Sequence, residues 1–218
     1  MIDIIKELRK GKNDVEFTSD LELNNVTFAY SNDDIVFEEA NFINNKNGLT
    51  ILKGHNGSGK TTIIKLLTNF VYPQVGEVIC KTKGPIGYSS ANGSDINSYI
   101  KCDCFLKDCI GDNTPNLLNE SLKWLNLESC RDHRIIELSS GQRKMLSLYR
   151  AFTKSDHCLL LDEPLSFLDK SFQKTIIGII EELKDKMTIL MTSHTDKFDN
   201  ISDCVFEIKD KKIIRMAN

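Results

Sequence analysis

Hydrophobic residues along the chain fall into two kinds of segment. Short apolar or alternating runs predict β-strands, and apolar residues spaced three or four apart predict helices between them. The predicted strands cover residues 21–28, 35–43, 49–52, 76–80, 85–89, 158–161, 187–192, 204–208 and 212–215. The predicted helices cover residues 60–70, 142–152 and 169–186. Strands that alternate with helices indicate an α/β fold.

Two segments depart from this alternation. Between 91 and 138 strand runs are few, and Leu117, Leu118, Leu122 and Leu125 have helical spacing, which predicts a small inserted helical region. Near the start of the chain Ile2, Ile5 and Leu8 also have helical spacing, ahead of a polar stretch. This short amphipathic segment is either a packed terminus, which we favour, or a contact with a membrane surface.

Composition narrows the class of protein. The chain has 218 residues, enough for one α/β domain with an inserted subdomain or for two small domains. Hydrophobic residues make up 40% and charged residues 27%, so intrinsic disorder is excluded as the main state. The net charge of −3 shows no basic excess, so we expect no nucleic-acid partner.

Cellular location is constrained by what the sequence lacks. No run approaches the roughly 18 consecutive apolar residues of a membrane span, and the first ten residues are too charged for a signal peptide. Seven cysteines in a chain of this length indicate reduced thiols in a cytosolic protein.

One segment carries a specific chemical pattern. Residues 54–61 read Gly-His-Asn-Gly-Ser-Gly-Lys-Thr, which matches a phosphate-binding loop (Walker A) in full, between an apolar strand and a helix. Backbone N–H groups of such a loop bind phosphate oxygens, the lysine adds a positive charge, and the Thr61 hydroxyl ligates Mg²⁺. The predicted nucleotide-binding residues here are Gly54, Asn56, Gly57, Ser58, Gly59, Lys60, Thr61 and Thr62.

Two carboxylates follow the apolar strand at 158–161. Asp162 is placed to hold Mg²⁺ together with Thr61. Glu163 is placed to act as general base towards an attacking water. A strand that merely ends in solvated acids is the alternative, and the complete phosphate loop makes it the weaker one.

With these motifs the sequence resembles the ATP-binding-cassette (ABC) ATPases. Leu138-Ser-Ser-Gly-Gln142 resembles the family signature, with Ser140 where glycine is commoner, and Ser166-Phe-Leu-Asp169 resembles the D-loop. His194 stands where the family has its switch histidine, and Tyr30 stands where an aromatic residue stacks on adenine. Gly48, just before the strand that leads into the phosphate loop, stands where the family also has a glycine. The resemblance extends from about Leu21 to Arg215, and the motifs occur in the family's order.

The resemblance implies a fold and a division of the chain. The expected fold is a P-loop NTPase core with a parallel sheet, an N-terminal antiparallel β subdomain and a small inserted helical subdomain. A single domain over residues 1–218 would comprise an extension at 1–20, the core at 21–90 and 139–218, and the helical subdomain at 91–138.

The resemblance also implies a mechanism and its residues. Two cassettes would enclose two ATP molecules with Mg²⁺, each ATP lying on the phosphate loop of one copy and the signature of the other. Catalysis is assigned to Glu163, His194 and Lys60, and metal binding to Thr61 and Asp162. The expected nucleotide contacts outside the phosphate loop are Tyr30, Ser139, Ser140, Gly141, Gln142 and Asp169.

One position departs from the family pattern. The family usually has glutamine after the strand at 85–89, where this chain has Ala91. Alanine offers no oxygen to a metal or a water, so Ser90 or Asn92 is expected to substitute. Coupling between this loop and a membrane partner is therefore in question.

The inserted region also holds a group of metal-ligand residue types. Cys102, Cys104, Cys109, Cys130 and His133 lie within it, so a zinc site is conceivable. Their spacing matches no common zinc motif, and free thiols are the favoured interpretation.

We therefore expect the ATP-hydrolysing subunit of an ABC transporter, an exporter rather than an importer. Its partners would be a separate transmembrane permease and a second cassette, which would hold it at the inner face of the cell membrane. Two alternatives stay open: a soluble ABC ATPase of the iron–sulfur cluster-assembly type, and a degenerate cassette that binds ATP for regulation.

Overall fold

The structure is a computed structural model that describes residues 5, 7, 9, 19–111 and 115–216. Within these residues nine strands form two sheets: β1 Asp20–Ala29, β2 Ile35–Asn44, β3 Gly48–Lys53, β4 Val75–Lys81, β5 Ile86–Ser89, β6 Cys158–Leu161, β7 Thr188–Thr192, β8 Cys204–Lys209 and β9 Lys212–Arg215. Among residues 19–111 and 115–216 the α-helices are α1 Lys60–Leu67, α2 Cys102–Ile110, α3 Pro115–Trp124, α4 Ser140–Lys154 and α5 Lys170–Leu183. Short 3₁₀ turns cover Glu128–Cys130, Ile135–Glu137 and Asp196–Ile201.

The larger sheet has the strand order β5-β6-β7-β3-β8-β9. Its first five strands pair in parallel, and β9 returns antiparallel to β8 as the predicted hairpin. All residues of β6 and β7 are buried, as expected for parallel strands covered on both faces. The carboxyl ends of β3, β6 and β7 therefore meet at one edge of the sheet, where the polar motifs begin.

The smaller sheet is antiparallel, in the order β2-β1-β4. Alternate residues of β1, such as Leu21 and Leu23, are fully buried, while their neighbours are partly exposed. They share one core with β3 and with Ile63 and Ile64 of α1. This packing fixes the antiparallel sheet beside the loop that joins β3 to α1.

The region between β5 and α4 is helical. Helices α2 and α3 pack against each other and against α4 through buried residues such as Phe105, Leu106 and Leu122. The predicted fold class is therefore confirmed: a parallel-sheet core, an antiparallel sheet and an inserted helical part. Within the described residues no helix combines the length and hydrophobicity needed to cross a membrane.

The structure corrects the end of the first predicted helix. Helix α1 stops at Leu67 rather than at residue 70, because Asn69 adopts a left-handed conformation with φ 58°. Phe70 therefore leaves the predicted apolar face, is 65% exposed and contacts the ring of Tyr88 at a centroid distance of 5.8 Å.

Part of the prediction for the start of the chain lies outside the described residues. Ile2 and Leu8 belong to that part. Ile5 and Arg9 are described, and both are buried, Ile5 within the core shared by the helical part and the parallel sheet. These two residues agree with a packed terminus rather than a membrane contact.

Candidate nucleotide-binding site

The phosphate loop connects the end of β3 to the start of α1. Gly59 precedes the helix in a left-handed conformation with φ 104°. A Cβ atom there would lie 2.6 Å from Val36 Cγ1 and 2.7 Å from Phe37 Cζ, so only glycine fits between the loop and β2. The end of the phosphate loop therefore packs directly against β2 of the antiparallel sheet.

Lys60 extends back along this loop. Its Nζ donates hydrogen bonds to the carbonyl oxygens of Gly54 at 2.9 Å and His55 at 3.1 Å. Burial lowers the pKa of the Lys60 ammonium, while the carboxylates of Glu163 and Asp162 oppose that effect. An ammonium held by two carbonyls beside an anion-binding loop is arranged to bind phosphate.

Asp162 lies at the end of β6 and is almost completely buried. Its Oδ2 accepts a hydrogen bond from the Thr61 hydroxyl at 2.8 Å, and its Oδ1 accepts one from the Thr192 hydroxyl at 2.7 Å. The two predicted metal-binding residues therefore meet directly. A hydroxyl and a carboxylate are donors that suit Mg²⁺, so Thr61 and Asp162 are the residues that would hold this ion.

Glu163 is the second residue after β6 and faces His194. The Nε2 atom of His194 lies 3.0 Å from Oε1 of Glu163. Burial raises the pKa of the Glu163 carboxyl, and the nearby His194 and Lys60 partly counter that rise. A carboxyl with a raised pKa beside a histidine suits a general base.

Tyr30 follows β1 at the opposite side of the cleft. Its hydroxyl lies 3.3 Å from Thr62 Oγ1 and accepts a hydrogen bond from Lys65 Nζ at 3.3 Å. The ring packs edge-on against Phe28 at 5.0 Å, which fixes its orientation. The residue is 50% exposed and lines the cleft, with Lys65 Nζ 5.4 Å from the ring centroid, so the ring is accessible to a planar ligand.

These groups surround one open cleft of about 550 Å³, a size within the usual range for small-molecule sites. Its lining consists of Tyr30, Asp34, Val36, Asn56, Gly57, Gly59, Lys60, Thr61, Thr62, Asp162, Glu163 and His194. Ten of these residues were predicted from the sequence, and Asp34 and Val36 were not. Gly54 and Ser58 lie in the same loop without lining the cleft.

The predicted signature and D-loop residues lie elsewhere. Ser139, Gly141, Gln142 and Asp169 border a separate pocket of about 250 Å³, which Ser140 does not line. Ser139 caps α4: its hydroxyl accepts from the Gln142 amide at 3.2 Å, while the Gln142 side chain accepts from the Ser139 amide. None of these residues lines the cleft of its own chain.

The carboxylate of Asp169 also serves a helix. Its Oδ1 accepts hydrogen bonds from the amides of Ser171 and Phe172 and so caps α5. Gly141 packs directly against the D-loop, which precedes α5, because a Cβ atom on Gly141 would be 2.7 Å from the carbonyl oxygen of Phe167. Signature and D-loop thus form one surface.

The loop after β5 does not reach the cleft. Ser90 is buried, and its hydroxyl donates to Asp95 Oδ1 at 2.5 Å. Asn92 is exposed, and its Oδ1 accepts from the Ser94 amide at 3.1 Å. Ser90 and Asn92, the two candidates to replace the usual glutamine, do not line the cleft, and neither does Ala91. Each candidate has a hydrogen-bond partner within its own loop.

The thiols form no metal site in the part of the chain that the structure covers. All seven cysteines are free, and no group of three or more histidine, cysteine or acidic residues there is close enough to hold a metal ion. Burial raises the pKa of Cys102 to about 11 and that of Cys109 to about 12, which keeps both as thiols.

Two residues of the site were missed in the sequence. Thr192 bonds Asp162 and also accepts a hydrogen bond from the Glu163 amide at 2.8 Å. Its place at the carboxyl end of β7, two residues before His194, was a usable signal. Lys144 is completely buried behind the site, and burial lowers the pKa of its ammonium to about 8. Its partners are mostly backbone atoms, so no sequence motif marks it.

Comparison with known proteins shows the family of this chain. The family model described as ABC transporter matches residues 37–166. The zinc import ATP-binding protein ZnuC of Rickettsia bellii is 31% identical over 179 residues, which cover 80% of this chain and 76% of that protein. The ZnuC of Rickettsia conorii is 32% identical over 177 residues, with the same coverage. The chain therefore belongs to the ABC transporter family, as an ATPase subunit.

Solved structures show the same fold at lower identity. A bacterial ABC transporter cassette solved as a dimer matches with a TM-score of 0.74 and 19% identity, covering 91% of this chain and 99% of that one. A bacterial Atm1-family ABC exporter with ATP bound matches with a TM-score of 0.76 and 18% identity, covering 91% of this chain and 39% of that one. At these identities the likeness concerns the fold alone.

Proposed function

We propose that this ATPase subunit binds ATP with Mg²⁺ in the cleft and hydrolyses it as a dimer of cassettes. The observation that carries the proposal is the separation of two surfaces on one chain. Residues of the phosphate loop, Asp162 and Glu163 line the cleft, whereas Ser139, Gly141 and Asp169 border another pocket. A second cassette can bring its signature to this cleft, which one chain cannot do in this arrangement.

The chemistry follows from the cleft residues. Amides of the phosphate loop and the Lys60 ammonium bind the β- and γ-phosphates. Mg²⁺ held by Thr61 and Asp162 would neutralise charge on the phosphate oxygens. Glu163 accepts a proton from the attacking water, and His194 at 3.0 Å orients that carboxylate. The N-terminus of α4 offers amides to the γ-phosphate on a partner copy.

Gel filtration of Glu163→Gln tests the dimer. The amide keeps the size of the side chain but cannot accept the proton, so ATP should bind and persist. We expect this variant to elute as a dimer with ATP and Mg²⁺ and as a monomer without nucleotide. The matched control is Glu163→Gln combined with Lys60→Ala, which should remain monomeric. A Glu163→Gln variant that binds ATP yet stays monomeric would contradict the dimer, and wild-type turnover in it would remove Glu163 from catalysis.

For the partner we propose a separate transmembrane permease at the inner face of the cell membrane. The curated relatives are transporter subunits by name, which favours a transporter over the cluster-assembly alternative. They are also named for zinc import, so the exporter expected from the sequence gains no support from them. We propose import, with zinc as the candidate cargo, and this rests on their 31–32% identity.

Cellular zinc tests the direction of transport. Deletion of the gene should lower the zinc content of zinc-limited cells, as measured by mass spectrometry. The wild-type gene should restore it, and Glu163→Gln should not. An unchanged zinc content would contradict zinc as the cargo, and a raised content would point to export.

A further inference from the structure

Lys144 is a fully buried lysine outside the nucleotide cleft. It lies in the second turn of α4 and has no exposed surface. Lysine is rarely buried unless its ammonium is fully bonded. Here the three donors of the ammonium have three acceptors: the carbonyl oxygen of Ser90 at 2.6 Å, the carbonyl oxygen of Asp162 at 2.8 Å and the Ser89 hydroxyl at 3.3 Å.

The acceptors belong to two separate segments that end beside the site. Ser89 is the last residue of β5 and Ser90 begins the loop that carries Ala91, while Asp162 is the first residue after β6. The Asp162 carbonyl belongs to the peptide group that links the metal-binding residue to the proposed base Glu163. Lys144 therefore joins the signature helix, the loop and this peptide through one side chain.

The Asp162–Glu163 peptide needs such support because Glu163 is strained. Its φ of 45° is left-handed, a conformation that costs a non-glycine residue roughly 1–2 kcal/mol. Both polar atoms of the peptide are held: the Glu163 amide donates to Thr192 Oγ1 at 2.8 Å, and the Asp162 carbonyl accepts from Lys144. Strain of this kind persists only where surrounding contacts over-determine it.

The loop is bonded to the same helix. Asp95 accepts hydrogen bonds from Ser147 at 2.8 Å and 2.9 Å and pairs with Arg150 at 2.7 Å, both residues of α4. Gly93 lies against the backbone of α4, since a Cβ atom there would be 2.7 Å from Arg143 atoms. A shift of α4 must therefore move this loop. Through the hydrogen bond from Lys144, the same shift would displace the Asp162 carbonyl.

We propose that Lys144 is a positioning residue for hydrolysis, which holds the Asp162–Glu163 peptide in its strained conformation and ties it to the loop after β5. It supplies, through the backbone, a connection between loop and site that Ala91 cannot make with a side chain. The inference rests on the proposed role of Glu163 as the base.

The test compares Lys144→Met with wild type. Methionine fills a similar space without donors, so the peptide loses one of its two restraints. Amides 90–95 and Asp162 should exchange hydrogen faster in the nucleotide-free protein. Turnover should fall about tenfold to hundredfold, because misplacement by about 1 Å is that costly. ATP affinity measured in EDTA should change less than about threefold, the pattern of a contact needed mainly in the transition state.

The matched control is Tyr149→Phe, which removes another buried hydrogen bond of α4, to Ser121 at 2.6 Å. It should lower thermal stability and leave turnover per folded chain unchanged. Lys144→Gln retains two donors on a shorter side chain, so an intermediate turnover is expected.

Wild-type turnover in folded Lys144→Met would overturn the inference, as would an equal loss of turnover in Tyr149→Phe. If Lys144→Met does not fold, wild-type turnover together with wild-type exchange in Lys144→Gln overturns it instead. Failure of the proposed base is recognised separately, because Glu163→Gln would then retain turnover.

Discussion

Replacement of Lys60 by alanine isolates the electrostatic part of nucleotide binding. Lys60 is only 7% exposed, so most of the cost of removing its ammonium from water is already met before ATP arrives. Its bonds to the carbonyls of Gly54 and His55 hold it beside the loop. Alanine removes the charge but leaves Gly59 and the amides of the loop in place.

The size of the effect follows from those contacts. Unit charges about 4 Å apart attract by about 4 kcal/mol at an effective dielectric constant of 20, and a hydrogen bond to a charged group contributes about 1.5–3 kcal/mol net. Because Lys60 already has two carbonyl partners, binding exchanges contacts as well as adding them, and we take about 2–3 kcal/mol. At about 1.4 kcal/mol per tenfold, ATP should bind about 30-fold to 140-fold more weakly.

Isothermal titration with ATP and Mg²⁺ measures this loss directly. Lys53→Ala is the matched control, because Lys53 immediately precedes the loop but pairs with Asp199 at 2.8 Å, away from the cleft. We expect its ATP affinity to stay within about twofold of wild type. An unchanged affinity in folded Lys60→Ala, or an equal loss in Lys53→Ala, would refute the reasoning.

Three further variants test stability. Burial gives the Glu163 carboxyl a pKa above its ordinary 4.5, so the free energy of unfolding falls as pH rises from about 4.5 through the raised value. Glu163→Gln should therefore melt at a higher temperature than wild type near neutral pH in EDTA. The difference in melting temperature should vanish at about pH 4. Arg9→Met should lower the free energy of unfolding in urea by about 2–4 kcal/mol, because the guanidinium bonds three carbonyls at the end of α4; an unchanged midpoint would contradict this anchor. Gly87→Ala should cost about 1–3 kcal/mol, since its Cβ would lie 2.3 Å from the Ala151 carbonyl, and a wild-type melting temperature would contradict that close packing.

The order of strands and helices could be predicted because burial on both faces leaves clear apolar runs. Strands β6 and β7 are wholly buried, and α5 carries its apolar stripe at Ile176, Ile179 and Ile180 as expected. Helix ends were less accurate: α1 stops early at a left-handed Asn69. Asparagine adopts the left-handed conformation at some positions and other conformations at most, so the sequence alone does not determine where the helix ends.

The site separates into parts that motifs describe and parts that they do not. Side chains proposed to bind phosphate or metal, such as Lys60 and Asp162, occur at fixed spacing in the motifs and line the cleft. Thr192 and Lys144 act on backbone atoms of residues 29 and 18 positions away. A backbone acceptor carries no sequence identity, so only the fold reveals such pairs.

Turnover should also depend on protein concentration, for a reason of symmetry. Cleft and signature are different surfaces of one chain, so one contact between two copies joins the cleft of the first to the signature of the second. A two-fold axis creates both composite sites at once and closes the assembly. On this proposal, turnover per chain should rise with protein concentration until dimers dominate. At low concentration the total rate of ATP hydrolysis should become proportional to the square of the protein concentration. The measurement is ATPase activity over about a hundredfold dilution at saturating ATP.

The matched experiment mixes wild type with excess Ser139→Pro, which removes an amide and disturbs the cap of α4 while leaving the cleft intact. Each mixed dimer then keeps one complete site for its one wild-type chain, the same number per wild-type chain as in a wild-type dimer. The excess variant should therefore raise turnover per wild-type chain at low concentration, where wild type alone is mostly monomeric, and leave it unchanged at high concentration. Turnover per chain that stays constant on dilution, and that the variant does not affect, would mean that one chain hydrolyses ATP alone.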